Sequence, residues 1–289
     1  MLLMSGALRK CSGDPILAQF LAALTDPQRP DIDAQNIAVV VAHPDDETIG
    51  CGAQLARWKR ATVIVVTDGA PRNISSTNLV RFGSRDRYAS ARTHELLQAL
   101  SIAGVAEANV VQLSIPDQEA AFRLADLAIR LADILAARRI EIAITHAYEG
   151  GHPDHDATAF AVHAAAKQLE KSEQALSVLE MPFYRAGDTG WLLQSFISWP
   201  RACKTVLVLS AEERAKKRAM LSAHLSQQEM LAHFSTSAEY FRVAPTYNFA
   251  APPNDRRLFY EQHDWGIDGK KWCQLARAAL CELDSGAAE

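Results

Sequence analysis

Val39-Val40-Val41-Ala42-His43-Pro44-Asp45-Asp46-Glu47 sets the reading of this chain. The apolar run Ile37 to Ala42 has strand character and ends in an imidazole followed by two carboxylates. A counterpart lies mid-chain, where the run Ile140 to Thr145 leads to Gly150-Gly151-His152-Pro153-Asp154-His155. Proline after the first histidine of each cluster biases that histidine towards extended backbone, which suits the exit loop of a strand. One such cluster alone has a plain structural reading, because Asp favours turns and helix N-caps. Two matched His-Pro-Asp cores, each following an apolar strand, point to chemistry, since a cap or a turn needs one polar residue and not three.

Outward from these clusters the rhythm is strand, turn, helix, strand. Gly52 to Arg60 reads as helix and Thr62 to Val66 as strand, with Thr67-Asp68-Gly69-Ala70-Pro71 breaking that strand. The polar stretch Arg72 to Arg87 has no clear period and is expected to be a loop beside the site. Helix follows at Arg92 to Leu100, strand at Asn109 to Leu113, helix at Ala120 to Arg139, strand at Ile140 to Thr145 and helix at Thr158 to Leu169. Leu176 to Tyr184 and Thr205 to Leu209 are further strands. Continuous apolar runs mark strands covered on both faces, and strands separated by helices pair in parallel. The expected fold class is α/β, a Rossmann-like three-layer sandwich with a mostly parallel sheet, a helical N-terminal extension over residues 1 to 35 and a loop-rich C-terminal part. Ile16, Leu17, Phe20, Leu21 and Leu24 give the extension a helical stripe, and Ala211 to Leu225 and Trp272 to Leu283 are helical. Residues 36 to 289 form the main domain. Ligands of such sheets bind outside the carboxyl ends of the strands, where both clusters lie.

The chain has 289 residues, 48% of them hydrophobic, enough for one large core. Its net charge of −4, with Lys and Arg scattered among acids, argues against nucleic acid as a partner. Five cysteines, an odd number without a Cys-x-x-Cys pair, fit a reducing cytoplasm. The first ten residues place their basic pair after the apolar patch, the reverse of a secretory signal. No apolar run approaches the roughly 20 residues of a membrane span. The oligomeric state is not legible.

Catalytic zinc takes three protein ligands, often His and carboxylate, and keeps an open position. His43, Asp46 and His155 would serve. Adjacent carboxylates in a near-extended turn point apart, which frees Asp45 as general base. Pro153 suits the first position of a helix, so His152 and His155 fall on its opening turn. Asp154 is expected to fix the His152 tautomer and favour its protonated form, ready to stabilise an oxyanion or protonate a leaving amine. His146, at the end of a strand, reads either as pocket lining or as core. His94, His163, His224, His233 and His263 read as packed or solvated, Cys51 as packing at a helix start, and Trp191, Trp199, Tyr240 and Phe241 as core or pocket wall.

Through Ala42-His43-Pro44-Asp45-Asp46-Glu47 and His152-Pro153-Asp154-His155 the chain resembles the LmbE-like, or PIG-L, family of zinc-dependent de-N-acetylases. Thr67-Asp68-Gly69-Ala70, Arg92-Thr93-His94-Glu95 and Ile115-Pro116-Asp117 support the likeness, which covers about residues 36 to 250. The resemblance implies zinc on His43, Asp46 and His155, Asp45 as base, and His152 with Asp154 at the oxyanion and leaving group. It also implies that Arg92 and Asp117 reach sugar hydroxyls, although Gln118 stands where members commonly have glycine. Tyr148 is an additional candidate oxyanion donor. The expected function is a metal-dependent hydrolase that removes an N-acetyl group from an N-acetylated sugar or glycoconjugate. A zinc hydrolase of another small amide, a thiol conjugate or a phosphoester, and a non-catalytic α/β ligand-binding protein, are the alternatives.

Overall fold

The structure is a computed structural model describing residues 14–200, 202 and 204–285; Cys11, Cys203 and the basic segment of the N-terminus lie outside the described residues. The apolar runs form five parallel strands: β1 (Ile37–Val41), β2 (Thr62–Pro71), β3 (Val110–Asp117), β4 (Ile142–His146) and β5 (Ser177–Met181). Alternate residues of each strand serve opposite layers. Val39, Val41, Val63 and Val65 pack with α1 (Pro15–Leu24), α2 (Asp46–Leu55), α4 (Arg85–Ala103) and α7 (Ala211–Ala223). Ala38, Val40, Ile64 and Val66 pack with α5 (Leu124–Ala137), α6 (Pro153–Lys171) and α8 (Gly269–Ser285). This is the expected mostly parallel sheet between helical layers. The N-terminal helix packs on the main domain through its apolar stripe: Leu17, Phe20, Leu21 and Leu24 are buried, with Phe20 packed 5.7 Å from Trp58.

Beyond β5, a hairpin of β6 (Tyr184–Ala186) and β7 (Trp191–Leu193) stands apart from the main sheet. The main sheet is completed by β8 (Lys204–Val208) and β9 (Ala238–Val243), in the order β8-β9-β5-β4-β1-β2-β3. β9 runs antiparallel to both neighbours. The sequence pattern does not reveal it, because two of its buried residues are charged: Glu239 pairs with Lys217 at 2.8 Å and Arg242 with Glu180 at 2.8 Å.

Three local expectations are corrected. The helix expected over Gly52 to Arg60 starts at Asp46 and stops at Leu55, and it bends at Cys51 (φ −145°). Glu239 Oε1 accepts the Ala53 N–H there at 2.9 Å, and Lys217 donates to the Ile49 carbonyl at 2.7 Å, so a buried ion pair holds the bend. Residues 67 to 71 do not end β2; register shifts at Thr67 and Pro71 let the strand continue through a bulge. The polar stretch after Arg72 contains α3 (Ser76–Phe82), capped by the Ser75 side chain and by Gly83 in the left-handed region. No residue of α3 is buried, so it has no apolar face to leave a period in the sequence.

From the central pair β1 and β4 the chain winds outward to β2 and β3 on one side and to β5 on the other. That reversal is the topological switch point of an open α/β sheet, and it opens a crevice above the strands' carboxyl ends. Ile37 pairs with Ile142 and Val39 with Ile144, so the exit of β1 lies beside that of β4. The two sequence clusters meet for this reason.

Candidate active site

Pro44 and Asp45 turn the chain from β1 into α2. Asp45 takes φ +129°, a conformation that costs a non-glycine residue and is typical of functional sites. Glu47 Oε2 holds it by accepting the Asp45 N–H at 3.0 Å. Asp46 opens α2, and its Oδ2 accepts the His43 N–H at 2.7 Å. In the second cluster, a Cβ on Gly151 would fall 2.0 Å from the Tyr184 carbonyl oxygen, so only glycine lets this loop lie against β6. His152 then caps α6, Pro153 occupies its first turn, and His155 follows on that turn.

His43 Nδ1 lies 3.2 Å from Asp46 Oδ2 and 3.2 Å from His155 Nε2, and His155 Nε2 lies 3.4 Å from Asp46 Oδ1. Donors at 2.0–2.1 Å from a tetrahedral zinc stand about 3.3–3.4 Å apart, so this set fits the ion. The three residues are buried. Burial alone would raise the pKa of Asp46, but His155 and His146 outweigh it and hold the carboxyl well below its ordinary range. His43 presents its other nitrogen, Nε2, to Asp117 Oδ1 at 3.2 Å and Asp154 Oδ2 at 3.4 Å. A carboxylate behind the imidazole is the arrangement that orients a metal-binding histidine. Against the effect of burial, those carboxylates hold the His43 pKa well above its ordinary value.

Asp45 stands outside the ligand triad, on the cleft wall. Burial pushes its pKa up to about 7, against the pull of Arg92, whose Nη2 lies 3.2 Å from Asp45 Oδ2. Arg92 lines the cleft, and its guanidinium is anchored by the protein itself. Its Nη1 donates to the Gly69 carbonyl at 2.8 Å and its Nη2 to the Pro44 carbonyl at 2.7 Å. The β2 bulge makes room for it: at Gly69 (φ +66°) a Cβ would lie 2.7 Å from the guanidinium carbon.

His152 is oriented differently from the expectation. Its Nδ1 accepts the backbone N–H of Asp154 at 3.1 Å, which leaves the ring proton on Nε2, facing Asp117 Oδ1 at 3.7 Å. The Asp154 carboxylate is 4.0 Å from His152 Nδ1 and serves other partners, accepting the N–H groups of Gln118 at 2.6 Å and Ala120 at 3.0 Å. Burial and the neighbouring His43 lower the His152 pKa well below its ordinary value, which favours the neutral ring over the protonated form expected from the sequence. Asp117 borders the cleft. Although burial opposes it, His43 and His152 hold its carboxyl below the usual range.

Tyr148 is not at the site. It is buried among Tyr247, Phe249 and Trp272, and its hydroxyl donates to the Ala251 carbonyl at 2.9 Å. His146 proves to be a buried support, stacked 4.1 Å from His155 with Nε2 accepting the Ala42 N–H at 2.8 Å. The cleft, about 390 Å³, is walled beyond the charged groups by Tyr184, Trp191, Phe234, Phe259 and Trp265. Of these only Trp191 carried a signal in the sequence, as core or wall. His263, expected to be packed or solvated, also lines the cleft.

Fold and site together define an α/β protein with a buried cluster of two histidines and one carboxylate at its switch point that could hold a metal ion. Residues 38–166 match the PIG-L family model, described as GlcNAc-PI de-N-acetylase, in agreement with the resemblance read from the motifs. Over 146 residues the chain is 30% identical to the 1D-myo-inositol 2-acetamido-2-deoxy-alpha-D-glucopyranoside deacetylase 2 of Catenulispora acidiphila, covering 43% of this chain and 48% of that protein. The chain spans about half the length of the curated relatives it matches. Among solved structures, the A40926 pseudoaglycone deacetylase Dbv21 superposes with a TM-score of 0.56 at 18% identity, over 75% of this chain and 99% of that one. The zinc-inhibited form of teicoplanin deacetylase Orf2 gives 0.52 at 18% identity, over 71% and 96%. At these identities the likeness to solved structures is one of fold.

Proposed function

We propose that the protein is a metal-dependent hydrolase, with zinc as the fitting ion, that removes an N-acetyl group from an N-acetylated sugar or glycoconjugate. His43, Asp46 and His155 would hold the ion. Bound there, zinc supplies a Lewis acid that polarises the amide carbonyl and lowers the pKa of a water to about 7. Asp45, fixed by Arg92, takes the proton of the attacking water and returns it to the leaving amine. His152 donates its Nε2 proton in a hydrogen bond to the developing oxyanion. Asp117 and Asp154 orient His43, and Asp154 ties down the segment after β3. Acetate and a free amine are the products.

The observation that carries this reading is one crevice in which His43, Asp46 and His155 stand at zinc-ligand spacing with a separate buried carboxylate, Asp45, beside them on the wall. The activities named for the relatives and the solved neighbours support the choice of an acetyl amide, and the donor set and its spacing support the choice of zinc. No helix among the described residues is long and apolar enough to cross a membrane. A cytoplasmic setting is proposed on the unpaired Cys51, Cys273 and Cys281. The test is release of acetate from a panel of N-acetyl sugars, lost on chelation and restored by zinc. Release of phosphate from phosphoesters in its place would move the reading to another bond.

A further inference from the structure

We infer that Gln118 is a specificity-determining residue, whose side-chain amide hydrogen-bonds a hydroxyl group of the sugar to be deacetylated. The inference rests on the hydrolase reading and extends it to a residue outside the catalytic set. Gln118 follows Asp117 at the exit of β3 and borders the cleft. Its backbone takes φ +72°, in the left-handed region, where glycine is the residue that fits without cost. The turn itself is fixed through the main chain: the Asp154 carboxylate accepts the N–H groups of Gln118 at 2.6 Å and Ala120 at 3.0 Å. Glycine would serve that turn equally, since the Gln118 side chain makes no hydrogen bond to the described residues. Of the 11 described non-glycine residues at positive φ, only Asp45 and Gln118 border the cleft. Backbone strain at a cleft wall with no structural return is the mark of a functional position.

The surrounding polar groups narrow what that position reads. Arg92 is tied to Asp45, the Asp117 carboxylate faces His43 and His152, and Gln227 Nε2 donates to the Tyr88 hydroxyl at 2.6 Å. The Gln118 amide is half-buried and offers two N–H donors and one acceptor oxygen without a partner in the protein. His263 also lines the cleft without a side-chain hydrogen bond, but it is exposed, so water serves it without a ligand. A hydroxyl is donor and acceptor at once and matches either end of the Gln118 amide. An anionic group would meet the Asp117 and Asp154 carboxylates around the same turn, and a hydrocarbon group would strip the amide of water and leave it unpaired. Asp117 Oδ1 stands 3.2 Å from the proposed ligand His43, so the residue after it borders the sugar that carries the acetamide and not a distant aglycone.

The test is a substrate-by-residue cycle on the zinc-loaded protein: kcat/KM for N-acetylglucosamine and for each of its monodeoxy analogues, in the wild type, Gln118→Gly and Gln118→Leu. For one analogue, the loss relative to the parent sugar is expected to be about three- to tenfold greater in the wild type than in either variant, the worth of one neutral hydrogen bond. Leucine keeps the bulk of glutamine without its amide, which separates the hydrogen bond from shape. A side chain that served only the fold would lower every substrate alike and leave these ratios untouched, and that result overturns the inference. Gln118→Gly should also unfold at an equal or higher Tm, because glycine suits this φ; a lower Tm would make the side chain a structural tie and overturn it as well. If no sugar is hydrolysed with zinc bound, the hydrolase reading fails, and calorimetric binding of the same sugars to the same proteins decides the subsite. Equal affinities there, or no binding, overturn the inference.

Discussion

The segment from β1 to α6 and the segment from β5 onward face each other across one cleft but contribute different chemistry. The first carries all three proposed metal ligands, with Asp45, Arg92, Asp117 and His152; the second contributes Tyr184, Trp191, Phe234, Phe259 and Trp265. The first is the part matched by the family model, up to residue 166. A buried charged cluster at a strand exit is costly unless it has a task, so it marks its own position in the sequence. An aromatic ring is equally at home in a core, so a wall of rings leaves no such mark. On the proposed reading the first segment supplies the reactive groups, and the second supplies most of the apolar wall of the cleft.

The contrast sets the scale of the effects expected on each side. On the reactive side, His43→Ala removes a ligand shared by the whole cluster and should abolish zinc retention, with turnover reduced by about three orders of magnitude or more. Elemental analysis together with acetate release reads both. Changes on the aromatic side, such as Trp191→Ala, should leave zinc content unchanged and raise KM by about tenfold, which steady-state acetate release reads. Asp156, on α6 next to His155, is expected to act on stability. Its Oδ1 accepts the N–H groups of Glu149 at 3.2 Å and Gly150 at 3.1 Å, and burial pushes its pKa from 3.8 up to about 8. The folded chain thus keeps a proton that the unfolded chain loses first. The stability this group gives is full below 3.8 and is lost as pH rises towards about 8. Asn keeps the acceptor oxygen without the ionisation. In metal-free protein, Asp156→Asn should therefore gain on the wild type by on the order of 3 kcal/mol between about pH 5 and pH 8. Denaturant titration checks this, and a difference that does not change with pH would contradict it.

Much of the reactive side was legible for physical reasons that can be named. Proline placement put His43 at a strand exit and His155 on the first turn of a helix, and the alternation of runs implied one shared rim. What failed there depended on details that spacing does not encode. The tie from Asp154 to His152 runs through a backbone N–H, because His152 is itself the N-cap of α6. Arg92 is anchored from within because a bulge places the Gly69 carbonyl within its reach. Tyr148 was drawn to the site by its nearness in sequence to His152, yet it faces the core behind α6. On the other side, β9 was hidden by its buried Glu239 and Arg242, and α3 by the absence of a buried face. Nothing in Phe259 or Trp265 separated cleft from core.

The proposed function turns on a division of labour between adjacent carboxylates, in which Asp46 would hold the metal and Asp45 would move the proton. It is tested most directly by measuring zinc content and acetate release in Asp45→Asn beside the wild type. The account predicts unchanged zinc stoichiometry with turnover lowered by about 10²–10⁴-fold. Loss of zinc from the variant, or a rate close to that of the wild type, would contradict it.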